Sequence, residues 1–75
     1  MIVMYSMEGC ELCCTARKIL DDNNIKYMEK RFAAGKIRKG GFPYFKMNDR
    51  FYNYEEFITL IADYLFYRIK KEAEA

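Results

Sequence analysis

The sequence has no histidine, one proline and only three cysteines, and the cysteines sit together at positions 10, 13 and 14. Each scarcity excludes something. An odd, clustered set of cysteines is not a disulfide scaffold, which would spread an even number along the chain. Three cysteines without a histidine leave a tetrahedral zinc site one ligand short, and Cys13 and Cys14, adjacent on a helix, point about 100° apart. No apolar run approaches the roughly 20 residues that span a bilayer. The start, Met1-Ile2-Val3-Met4-Tyr5, lacks the basic segment and small-residue cleavage site of a secretory signal. A cytoplasmic location with no membrane partner is the expectation. There is no internal repeat and no linker, and 75 residues suffice for one domain spanning 1–75.

What is present argues for a folded chain. Hydrophobic residues make up 52% and aromatics 17%, enough apolar area to set disorder aside. In so small a core each large apolar side chain counts. The formal charge of +2 conceals an asymmetry. Between Lys26 and Arg50 there are eight cations, including Lys36, Arg38 and Lys39, against only Glu29 and Asp49. That stretch reads first as a solvated basic surface and second as an anion-attracting face. A nucleic-acid partner is not expected.

Hydrophobic periodicity orders the elements as β-α-β-β-β-α. Residues 2–6 form a short apolar run suited to a strand buried on both faces. From Cys10 the pattern turns helical, with Leu12, Ala16, Ile19 and Leu20 on one face. Asn23-Asn24 ends that helix, because Asn tolerates the left-handed conformation common past a C-terminus. A second strand is expected over 26–32, then a loop over 33–41 with too many glycines for a long helix. Pro43 opens the strand Tyr44–Met47, Asn48-Asp49 supplies a two-residue hairpin turn, and Arg50–Tyr52 returns. Asn53 with Glu56 reads as a capping box, and Phe57, Ile58, Ile61, Leu65 and Ile69 carry a helix to about residue 69, beyond which the polar tail frays. Strands joined by a helix are parallel, so the fold class is α/β, a four-stranded mixed sheet with helices packed on it.

The chemistry lies in Cys10-Glu11-Leu12-Cys13. Cysteines three apart on a first helical turn share a face and can bond reversibly. Helix N-terminal N–H groups stabilise a thiolate at Cys10, and the thiolate is the nucleophile. Cys13, deeper in the helix, is placed to attack a mixed disulfide from within. Thiol–disulfide exchange is the implied reaction, with Cys10 and Cys13 the catalytic pair. Inert packing of both cysteines is the bland alternative. Cys14 is either a small packing residue or a regulatory third thiol able to replace Cys13 as partner of Cys10.

These residues resemble the glutaredoxins and the NrdH-type redoxins, within the thioredoxin-like superfamily. The segment Val3–Cys13 is similar to their strand, loop and active-site motif, and Ala16–Leu20 to the continuation of their first helix. Gly41-Phe42-Pro43 falls where the family carries a motif ending in a cis-proline, and Tyr52–Phe57 resembles the junction that follows. The resemblance implies that Pro43 is cis and faces the thiols. It also implies that the backbone of Phe42 pairs with bound peptide or glutathione by strand addition. Tyr5, Leu12, Phe42 and Tyr44 are candidates for an apolar groove, with core packing the alternative, at least as strong for Phe45 and Tyr52. Asn53 and Tyr54 stand where many members carry a Gly-Gly pair receiving one end of glutathione.

The departures from the family matter. Met7 and Glu8 replace its lysine, Glu11-Leu12 replaces its Pro-aromatic pair, and a basic loop replaces most of its second helix. They weaken the case for glutathione, for which Lys36, Arg38 and Lys39 would have to compensate as a carboxylate clamp. The expected activity is that of a monomeric dithiol oxidoreductase reducing protein or mixed disulfides, with no bound cofactor or metal. Its reductant would be glutathione or a thioredoxin-reductase-type enzyme. A ribonucleotide reductase is one client implied by the resemblance. The alternatives are a thioredoxin-like carrier of metal or an iron–sulfur cluster and a redox-inactive interaction module.

Overall fold

The computed structural model describes residues 1–35 and 40–74. The proposed clamp at Lys36, Arg38 and Lys39 therefore lies outside the described residues. The elements run β1 (Ile2–Met7), α1 (Glu11–Asp22), β2 (Tyr27–Phe32), β3 (Tyr44–Met47), β4 (Arg50–Asn53) and α2 (Tyr54–Glu74). The order is the expected one, and among the described residues no helix lies between β2 and β3. The strands form one sheet in the order β2-β1-β3-β4. β1 pairs parallel with β2 and antiparallel with β3, and β3 pairs antiparallel with β4.

Local chemistry sets the boundaries. Asn24 takes φ 56° just past α1. Its N–H donates to the carbonyl of Asp21, and that of Ile25 to the carbonyl of Leu20, so a Schellman motif closes the helix. Asn48 and Asp49 have φ of 50° and 65°, the paired positive values that suit a tight hairpin. At the start of α2 the Glu56 N–H donates to Asn53 Oδ1 at 2.8 Å, and the Asn53 N–H donates to Glu56 Oε1 at 3.0 Å. Both halves of the capping box are made. Asn53→Ala should cost about 1 kcal/mol, read as a lowered denaturant midpoint at unchanged slope. An unchanged midpoint would mean that the cap contributes nothing.

The core is small. Met4 of β1, Cys13, Ala16 and Leu20 of α1, Phe45 of β3, and Phe57 and Ile61 of α2 are its buried apolar members. The rings of Phe45 and Phe57 stack with centroids 3.9 Å apart. Phe45 is thus core, and Tyr52 packs against its edge.

Three expectations are corrected. β1 is not buried on both faces: Met4 and Ser6 are buried, whereas Val3, Tyr5 and Met7 are half-buried. The other face of the sheet carries a layer of aromatic rings. There Tyr5 stacks on Tyr44 at 4.5 Å, with Phe32, Phe42 and Phe51 around them. The buried face of α1 is Cys13, Ala16 and Leu20, while Leu12 is 47% exposed. The helix is turned so that the second cysteine takes the core position assigned to Leu12. Finally, α2 continues to Glu74 rather than fraying after 69. Residues 70–74, Lys-Lys-Glu-Ala-Glu, are strong helix formers with no glycine or proline to stop them.

Candidate dithiol site

β1 ends and Gly9 turns the chain with φ 76°, a value that favours glycine. Cys10 follows as the N-cap of α1 in an extended conformation. Its Sγ accepts the N–H of Cys13 at 3.1 Å, as a serine hydroxyl would at the same position. Cys10 and Cys13 are joined as a disulfide with their Cα atoms 5.2 Å apart. Cys10 is half-buried and Cys13 is 1% exposed, so the pair joins one partly accessible residue to one covered residue. Cys14 is free and exposed, and Arg17 Nη1 lies 3.7 Å from its sulfur.

A groove of about 260 Å³ is lined by Leu12, Gly40, Phe42, Asn53, Tyr54 and Glu55, and Leu12, which lies between the two cysteines in the chain, is its link to the pair. It gathers four candidate binding residues from three separated segments: Leu12 from α1, Phe42 from the stretch before β3, and Asn53 and Tyr54 from the β4–α2 junction. Tyr5 lies elsewhere, in the aromatic layer with Lys30 Nζ 5.8 Å from its ring. Pro43 is buried, and the Phe42–Pro43 bond is cis. Glu55 escaped the sequence reading, although it adjoins Tyr54 in the first turn of α2.

One polar network, between α1, β1 and β2, was also missed. Ser6 is fully buried and its hydroxyl donates to Glu29 Oε2 at 2.6 Å. Arg17 grips the same carboxylate through both oxygens, Nε to Oε1 at 2.9 Å and Nη2 to Oε2 at 2.6 Å. Arg31 adds longer contacts from β2. These bonds outweigh the desolvation of Glu29 and lower its pKa to about 2, while Glu29 raises that of Arg17 above the ordinary range. Buried polar groups must be hydrogen-bonded, so this cluster ties α1 to β1 and β2.

Among the described residues no group of three metal-ligating side chains converges, and no helix is long and apolar enough to cross a membrane.

A four-stranded mixed sheet with two helices, and a cysteine pair opening the helix that follows its parallel strand, define a thioredoxin-like fold. Residues 2–32, the β1-α1-β2 unit that carries the pair, match the family model Glutaredoxin, which supports the glutaredoxin family within that superfamily. No curated protein and no solved structure matches the chain. The family match and the bonded pair together point to thiol redox function.

Proposed function

We propose that the protein is a cytoplasmic, monomeric dithiol–disulfide oxidoreductase. Cys10 is its nucleophile and Cys13 its resolving thiol. The observation that carries this reading is the cysteine pair itself, one sulfur half-buried at a helix N-cap and the other in the core, bonded to each other.

In the reduced protein the Cys10 thiolate attacks one sulfur of a client disulfide. A Cys10–client bond forms, the client's S–S bond breaks, and the departing thiolate takes up a proton. The Cys13 N–H that bonds Cys10 Sγ also stabilises the attacking thiolate, with the aligned amides of α1 behind it. Cys13 then gives up its proton and attacks Cys10 Sγ. The Cys10–Cys13 bond forms and the second client thiol leaves. Two electrons pass to the client, and two equivalents of glutathione or a thioredoxin-reductase-type enzyme restore the dithiol. The groove lined by Leu12, Phe42, Asn53 and Tyr54 holds the client segment. A ribonucleotide reductase is one client class that the family likeness brings into view. The clustered thiols suit the reducing cytosol, where they remain available for exchange.

The test is a redox titration in glutathione buffers, followed by intact mass and peptide mapping. The expected result is one two-electron transition of the Cys10–Cys13 pair in the range of about −200 to −270 mV. A midpoint near the upper end with a glutathione adduct on Cys10 favours glutathione as reductant; one near the lower end without it favours a reductase. No disulfide at any poise would remove the proposal and leave the carrier and interaction readings.

A further inference from the structure

We infer that the groove selects disulfides held in apolar, cation-flanked polypeptide segments over carboxylate-bearing small thiols such as glutathione; this rests on the dithiol reading above. Three observations converge on it. The first is size. At about 260 Å³ the groove lies below the roughly 300–1,000 Å³ of pockets that engulf a small ligand. It admits one or two side chains of a longer chain that continues over the surface. Its apolar members are Leu12, 47% exposed, and the half-buried rings of Phe42 and Tyr54.

The second is the helix terminus that lines the groove through Asn53, Tyr54 and Glu55. The α2 N-terminus would ordinarily attract a ligand carboxylate. Here the Asn53 carboxamide and the Glu56 carboxylate already occupy the capping positions. Two N–H groups of the terminus, those of Asn53 and Glu56, are thus satisfied from within, one of them by an acid of the chain itself.

The third is charge. Glu55 lines the groove, and no Lys or Arg does so among the described residues. Glu8 and Glu11, both exposed, flank Cys10 in the chain. Several like charges within a Debye length of one reaction centre raise the encounter rate of cations and depress that of anions. Glutathione carries two carboxylates against one ammonium group and is disfavoured on this account. A cysteine with an apolar neighbour and lysines on either side meets both the apolar walls and the acidic rim.

The test uses three substrates activated with the same neutral thiopyridyl leaving group: the peptides Lys-Leu-Cys-Lys and Glu-Leu-Cys-Glu, and glutathione. Pre-reduced protein is mixed with each by stopped flow at low and high salt. Each rate constant is divided by that of 2-mercaptoethanol with the same substrate, which removes intrinsic reactivity. The cationic peptide should react about tenfold faster than either anionic substrate at low salt, and the ratio should shrink in high salt. Combined Glu11→Gln and Glu55→Gln should collapse it at least about threefold. Equal normalised rates would overturn the inference while leaving the dithiol reading intact. So would faster reaction of the anionic substrates, which would hand selectivity to Lys36, Arg38 and Lys39, the cations preceding Gly40 in the chain. Failure of all three substrates to react would sink the dithiol reading itself.

Discussion

Replacing Cys10 with serine is expected to lower disulfide-reduction turnover by at least roughly 10³-fold, the scale of loss when a covalent nucleophile is removed. The fold should survive. Cys10 is the N-cap of α1, and its sulfur accepts the Cys13 N–H at 3.1 Å. Serine is among the preferred N-cap residues and its hydroxyl accepts the same bond more strongly. Cys10→Ser should therefore be at least as stable as the reduced wild-type protein while losing its chemistry. That separation is the useful part of the experiment. A fall in activity with a parallel fall in stability would say only that the site had unfolded. Full activity in a small-disulfide assay, with the serine variant folded, would end the assignment of Cys10 as nucleophile. Cys13→Ser should behave differently, because the first attack remains possible and only its resolution is lost. It should accumulate a Cys10 mixed disulfide visible by mass, unless Cys14 takes over as partner. The Cys10–Cys14 bridge would then appear in the peptide map.

Much of this arrangement was legible because it is written in local chemistry. Asn48-Asp49 and Asn23-Asn24 announce their turns through the tolerance of Asn and Asp for positive φ, and Asn53 with Glu56 announces a helix start three residues ahead. The cysteine pair is legible for the same reason, since spacing along one helix needs no tertiary information. The phase of α1 was not. The sets Leu12-Ala16-Ile19-Leu20 and Cys13-Ala16-Leu20 both fit a helical period. Only the sheet, packing through Met4 and Phe45, chooses the second and leaves Leu12 free to line the groove. The groove was legible in its members but not in its closure. Leu12, Phe42 and Tyr54 come from three segments with no shared period, and Glu55 joins them only because α2 starts where it does. The Ser6–Glu29–Arg17 cluster is harder still. Its partners are 23 and 12 residues apart, and a serine in an apolar strand gives no sign that it is fully buried.

That cluster carries the second large effect. Glu29 ionises at about 2 in the folded protein against 4.5 for an ordinary glutamate, chiefly because Arg17 and Ser6 bond its carboxylate. A carboxyl held below its unfolded value contributes stability that is fully present above about pH 4.5 and drains away as the pH falls toward about 2. At neutral pH the displacement is worth on the order of 2–3 kcal/mol, a large share of what a 75-residue domain has to lose. The side chain of Glu29 is 19% exposed and that of Arg17 26%, so water screens the pair only in part. Glu29→Gln removes the charge and keeps the shape, and it should lower the midpoint of thermal unfolding by about 8–24 °C at pH 7. Glu29→Ala should do at least as much, since the fully buried Ser6 hydroxyl then loses its acceptor. The pH profile is the sharper readout. Wild-type stability should fall steeply between about pH 4.5 and pH 2, and that part of the fall should be missing from Glu29→Gln, so the two curves converge in acid. Parallel curves with equal stability at pH 7 would show that the network adds nothing net. In that event α1 would be held against the sheet by the apolar packing of Cys13, Ala16, Ile19 and Leu20.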